Sequence, residues 1–148
     1  MKVLVFDTET TNILPRDIPL MRQYLHHYPH IVQLSFMMYD TELYQIISCK
    51  DYVIRIPDNV EIPPESTNVH GINREIVNKK GVEIKIALED FKKHYKSCDI
   101  LIAHNLKFDT TMVTVDAMRI RMGQIINTID PKKKHYCTMN NSIELCNI

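Results

Sequence analysis

Asp7-Thr8-Glu9 sets two carboxylates two positions apart, directly after the apolar run Val3-Leu4-Val5-Phe6. In extended chain, residues two apart point to the same side, so both acids would project together from the end of a buried strand. Like charges placed there repel unless a cation sits between them. Mg²⁺ commonly takes one or two carboxylates, with waters and substrate phosphate completing its shell. Spacing alone is weak evidence: 18 acids in 148 residues give about two acid-x-acid pairs by chance, and the chain has two. The other, Asp40-x-Glu42, falls between two β-rich runs, where acids are ordinary turn formers. The strand before Asp7 is what sets its pair apart, with solvated acids at an exposed strand end as the plain alternative.

A second group, His104-Asn105-Leu106-Lys107-Phe108-Asp109, follows the apolar run Asp99 to Ala103 in the same way. Asp109 opens a helix, where a carboxylate is also a routine first-turn acid, and His104 alone reads equally well as a hydrogen-bonded histidine at a strand end. His26-His27-x-x-His30 has no Cys or acid beside it to complete a tetrahedral metal site and reads as solvated loop. His70 reads as a structural residue of its loop, with contact to substrate as the alternative. Cys49, Cys98, Cys137 and Cys146 form no CxxC pair, which suits reduced thiols of an intracellular protein. Cys137 beside His135 shows no activating arrangement in the sequence.

The elements that must position the acids follow from periodicity. Lys2 to Phe6 and Asp99 to Ala103 are short apolar runs that read as buried strands. Ile31 to Tyr39 and Leu43 to Ile56 are β-rich and joined through Asp40-Thr41-Glu42, which predicts a hairpin beside the first strand. Asn12 to His30 reads as an irregular excursion with a short helix around Ile18 to His27. Pro57 to Gly81 reads as a long ordered loop in which Asn73 caps one helical turn containing Glu75 and Ile76. Ile84, Ala87, Leu88, Phe91 and Tyr95 share one helix face. Phe108, Met112, Val115, Arg119 and Met122 predict another helix against poor intrinsic propensity. A polar turn around Asn127 to Lys134 then leads to a final strand at His135 to Met139. The pattern indicates a mixed α/β sheet, with ligands gathering at the carboxyl ends of its parallel strands.

Eighteen Lys+Arg balance 18 Asp+Glu. Bulk electrostatic binding of nucleic acid is thereby excluded, and any such partner is held by a local site. With no run of 18 apolar residues and an acid at position 7, neither a membrane span nor a signal peptide is expected. The expectation is a single domain over residues 1–148.

Phe6-Asp7-Thr8-Glu9-Thr10-Thr11 resembles the first motif, and His104-Asn105-x-x-Phe108-Asp109 the second, of the DEDD or DnaQ-like 3′ to 5′ exonucleases. That family includes proofreading subunits of replicative polymerases. Ile62-Pro63, His70-Gly71-Ile72 and Cys137-Thr138-Met139 resemble its connecting segments, with the flavour of stand-alone enzymes of large DNA viruses and bacteria. The resemblance implies a ribonuclease H-like mixed sheet flanked by helices and a two-metal phosphodiesterase. Asp7 would bridge two Mg²⁺ or Mn²⁺ ions, Glu9 would bind the one that activates water, and Asp109 the other. Thr10 and Thr11 would approach the terminal nucleotide of a single-stranded 3′ end, with His104, Asn105 and Phe108 shaping its pocket. A DNA polymerase is the implied protein partner.

The chain departs from the family at the third motif, Y-x-x-x-D or H-x-x-x-x-D, which supplies a fourth acid and the general base. After Asp109 the acids are Asp116, Asp130 and Glu144, and none follows a Tyr or His at that spacing. His94 and Tyr95 fit formally with Asp99, but they precede the second motif and place Asp99 at the wrong end of its strand. The expectation is an incomplete domain, without its C-terminal part and nearly inert, or else an inactive module that binds nucleic-acid ends or a partner.

Overall fold

The computed structural model describes residues 1–126 and 132–146. Its strands are β1 (Lys2–Thr10), β2 (Ile31–Asp40), β3 (Gln45–Arg55), β4 (Val82–Glu83), β5 (Ile100–Ala103) and β6 (Lys134–Cys137). Its helices are α1 (Pro64–His70), α2 (Arg74–Lys80), α3 (Ile84–Ser97), α4 (Leu106–Arg119) and α5 (Thr138–Cys146). The six strands form one mixed sheet in the order β4-β3-β2-β1-β5-β6. β1, β2 and β3 are antiparallel neighbours, whereas β5 and β6 run parallel to β1. Alternation along β1 buries Leu4, Phe6, Thr8 and Thr10. Leu4 and Phe6 pack with Leu34, Phe36, Leu88, Phe91, Leu101 and Met112 in the main core. This is the face that α3 and α4 cover.

The hairpin forms as its residues predict. The Asp40 carboxylate accepts hydrogen bonds from the backbone N–H groups of Glu42 (2.8 Å) and Leu43 (3.2 Å), an ordinary use of an acid in a turn. The Pro57 to Gly81 segment is a correction, because it holds two helices where one helical turn was expected. Pro64 starts α1, and Gly71 ends it in the left-handed region at φ 75°; Asn73 then caps α2 by accepting from the Ile76 N–H. At seven residues each, these helices are too short to show apolar periodicity. Gly81 lets α2 lie close to β3, since a Cβ there would stand 2.3 Å from the Val77 carbonyl and 2.9 Å from the Arg55 nitrogen.

Three boundaries move. The early excursion holds a 3-10 helix at Arg22–His27, β6 stops at Cys137 where α5 takes over, and β1 continues to Thr10. The polar turn around Asn127 lies largely outside the described residues. α4 tolerates its threonines because the hydroxyls of Thr110, Thr111 and Thr114 donate to carbonyls four residues back, so no buried hydroxyl competes with the helix. Among the described residues no helix is long and apolar enough to cross a membrane.

Candidate active site

The site grows from a mismatch in strand length. β1 pairs with β5 only at Val3, Leu4 and Val5, yet stays paired with β2 through Asp7, Thr8 and Glu9. Asp7 and Glu9 therefore lie within a strand rather than after its end, and β1 overhangs the place where β5 leaves the sheet. There the chain turns through Asn105, in the left-handed region at φ 61°, and enters α4. One turn later Asp109 reaches back to the overhang. Its Oδ1 accepts from the Thr8 N–H at 2.9 Å and from the Thr8 hydroxyl at 2.7 Å. A carboxylate thus takes the backbone donor that a longer β5 would have paired.

Asp109 is 2% exposed, and its carboxyl is pushed up to about 7. Burial is the main cause, the Thr8 hydroxyl opposes it, and the charge of Asp7 adds to the rise. The Glu9 carboxyl is also raised, first by burial and then by Asp7, with His70 pulling the other way. Asp7 thus lies within electrostatic reach of both other acids. Asp7 and Glu9 project from one face of β1, while Thr8 turns towards the helix-covered face and holds Asp109 there. Among the described residues, no three His, Cys, Asp or Glu side chains are grouped so as to hold a metal by themselves. The donor chemistry still suits a hard divalent cation, which needs only one or two carboxylates when water and phosphate supply the rest.

The other expected site residues are placed as follows. The Thr10 hydroxyl donates to the Asn12 carbonyl, and that of Thr11 accepts from the His30 N–H. Both are committed to shaping the turn after β1. His104 is exposed, and its Nδ1 lies 3.0 Å from the Thr138 hydroxyl. Phe108 is half-buried against the main core. Asp99 accepts from the Lys2 N–H at the opposite end of β5, well away from these acids.

Several groups escape sequence reasoning. Asp116 is buried and accepts from the Ile31 N–H. Arg119 donates to it at 2.5 Å and to the carbonyls of Leu25, Tyr28 and Pro29. Its Asp-x-x-Arg spacing is visible in the sequence, but surface pairs share it. Burial, and after it the same guanidinium, lower the His30 pKa to about 4, so His30 lies against this latch, whereas His26 and His27 are exposed with their rings against each other. Cys137 is a further correction. Burial raises its thiol pKa, but backbone N–H groups of Asn140, Leu106, Asn105 and Met139 outweigh that and hold it below the usual value.

The chain matches the RNase T family model, described as Exonuclease, over residues 4–145. No curated protein sequence matches it. Among solved structures it resembles exonuclease I from Methylocaldum szegediense, with TM-score 0.72 and 15% identity, covering 94% of this chain and 28% of that one. It also resembles E. coli exonuclease I in complex with a dT13 oligonucleotide, with TM-score 0.69 and 12% identity over 99% and 29% of the two chains. An ExoI/SSB-Ct complex matches at TM-score 0.69 and 13% identity over 99% and 30%. The chain thus spans less than a third of the exonuclease I chains it matches.

Proposed function

Because the chain belongs to this exonuclease family and carries its ribonuclease H-like fold, we propose that it removes nucleotides from the 3′ ends of single-stranded nucleic acid by metal-dependent phosphodiester hydrolysis. The observation that carries the reading is the pair of hydrogen bonds from Thr8 to Asp109, which fix that acid beside the residue between Asp7 and Glu9 where β1 overhangs β5. Asp7, Glu9 and Asp109 would hold Mg²⁺ or Mn²⁺, which when bound polarises the phosphate and lowers the pKa of attacking water. The chain's own contribution is orientation. Thr8 fixes one oxygen of Asp109 through its backbone N–H and its hydroxyl, holding that acid beside β1 before any metal or substrate arrives. Single-stranded ends suit such a site because they need no unpairing to enter.

A second reading, an end-binding module without turnover, is favoured by Asp116. The buried ion pair with Arg119 removes it as a fourth ligand, so turnover should be slow. One experiment separates the readings. A 5′-labelled single strand with Mn²⁺ should shorten in a ladder from its 3′ end, while Asp7→Asn should lose both the ladder and most Mn²⁺ binding by calorimetry. Strand binding without any ladder would favour the second reading. Identical isotherms for parent and variant would remove Asp7 from the site.

A further inference from the structure

β3 and α3 share a chain of polar side chains that the nuclease reading does not use. His94 Nδ1 lies 2.8 Å from the Asp90 carbonyl oxygen, and a carbonyl only accepts, so the ring proton rests on Nδ1. In the neutral ring Nε2 is then a bare acceptor, and it stands 3.0 Å from the Ser48 hydroxyl. The direction of that bond follows: Ser48 donates to His94. The Asp90 Oδ1 lies 3.4 Å from Nδ1, close enough to stabilise an imidazolium when the ring takes a proton. Its Oδ2 accepts from the Tyr52 hydroxyl at 2.7 Å, and Phe36 meets the imidazole edge-on with centroids 5.0 Å apart. The base is thus held in one tautomer and one orientation before any reaction. Ser48 and His94 are 46 residues apart, so no local motif announces them. Access comes from the edge of the sheet. β4 pairs with β3 only at Ile54 and Arg55, so among the described residues no strand lies outside β3 beside Ser48. The ladder to β2 also slips between Met38 and Tyr39 and leaves Ile47 without a register partner, as in a bulge that re-aims its neighbours. Unpaired N–H groups of a strand edge are the donors an oxyanion needs.

We propose that Ser48 is a nucleophile with His94 as its general base, forming a second reactive centre that hydrolyses small, activated carboxylic esters. Ser48 Oγ bonds to the ester carbonyl carbon while His94 Nε2 takes the hydroxyl proton. The bond to the leaving oxygen then breaks, and the same proton passes from Nε2 to that oxygen. Water that gives a proton to Nε2 next attacks the acyl group, releasing the carboxylic acid and restoring Ser48. Asp90 and Tyr52 act through His94 as positioning residues. The centre is separate from the metal-binding acids, because Ser48 reaches α3 on the helix-covered face and Asp7 and Glu9 project from the other. Ser48, His94 and Asp90 are half-buried, so a small acyl group reaches them without unfolding of α3.

The probe is a fluorophosphonate, which forms one Oγ–P bond with an activated serine and releases fluoride. Applied to the full chain and followed by peptide mass spectrometry, it should place one phosphonyl group on Ser48 of the folded parent. Ser48→Ala should take none at that peptide. His94→Gln should label at least about a hundredfold more slowly, as for a lost general base. Parent unfolded in urea should slow by a similar factor, because the base is then no longer beside the serine; this comparison stands even where the His94 variant fails to fold. With p-nitrophenyl acetate, the parent should release p-nitrophenol faster than Ser48→Ala, a comparison in which the thiol of Cys49 contributes equally to both. An unlabelled Ser48 in the folded parent, or equal labelling of folded and unfolded chains, would overturn the proposal. Parent-rate labelling in a folded His94→Gln would remove His94 as the base, and equal p-nitrophenol release would overturn the ester chemistry.

Discussion

Asp109→Asn is expected to stabilise the metal-free protein by about 2–4 kcal/mol at pH 8, and by about a third of that at pH 5, while impairing any metal-dependent activity. The folded carboxyl titrates near 7, against 3.8 for the ordinary group, with burial as the main cause and the Thr8 hydroxyl opposing. An acid whose folded pKa is raised is neutral in both states below its unfolded value. As pH rises from about 4 to 7 the unfolded chain ionises first, and stability is lost at about 1.4 kcal/mol per pH unit. Asparagine carries no charge at any pH, yet its oxygen can still accept from the Thr8 N–H and hydroxyl. Urea unfolding of parent and variant at the two pH values is the check. A gap independent of pH would show that the Asp109 charge is not what strains the fold, whereas a gap that closes with added Mn²⁺ would tie the strain to cation binding.

Arg119→Ala is expected to cost about 3–5 kcal/mol, the usual penalty for stripping one partner from a buried ion pair. The loss is compound. Asp116 keeps a buried carboxylate whose pKa burial already raises against the pull of Arg119, and three carbonyls of the segment before β2 lose their donor. Arg119→Lys should recover little of it, because an ammonium cannot match the fork of a guanidinium that serves four acceptors. Against a typical total of about 5–15 kcal/mol, the alanine variant would stand near the edge of folding. A midpoint shift equivalent to less than about 1 kcal/mol in urea would show that the latch is dispensable.

The reach of the sequence follows from the range of each interaction. The hairpin, α3 and the strand before Asp7 are written in local periodicity and turn chemistry, and all are legible. The three acids stand out as candidates because each follows an apolar run that reads as a buried strand, not because of spacing alone. Thr8 is not legible as the holder of Asp109, because its partner lies 101 residues away and nothing near Thr8 announces it. Asp116 and Arg119 are visible as a spacing, but burial alone separates a sealed latch from a solvated surface pair. α1 and α2 are too short for periodicity and rest on caps, of which the sequence showed Asn73 alone. The extension of β1 to Thr10 depends on continued pairing with β2, a property of the partner strand rather than of the residues themselves.

The shortfall of β5 against β1 also bears on the order in which the molecule assembles. The β1–β2–β3 meander joins residues within the first 55 positions, whereas β5 and the Asp109 bond to Thr8 close loops of about a hundred residues. Long loops close late, because their entropy is lost before their contacts form. In pulse-labelled hydrogen exchange during refolding, the Thr8 amide should gain protection after the β2–β3 amides, and simultaneous protection would refute this order. A chain that has left the ribosome only through β3 would carry Asp7 and Glu9 on a formed meander with no Asp109 to complete the corner. The corner where Asp109 meets β1 is then a late product of synthesis, closed only after the meander that carries Asp7 and Glu9.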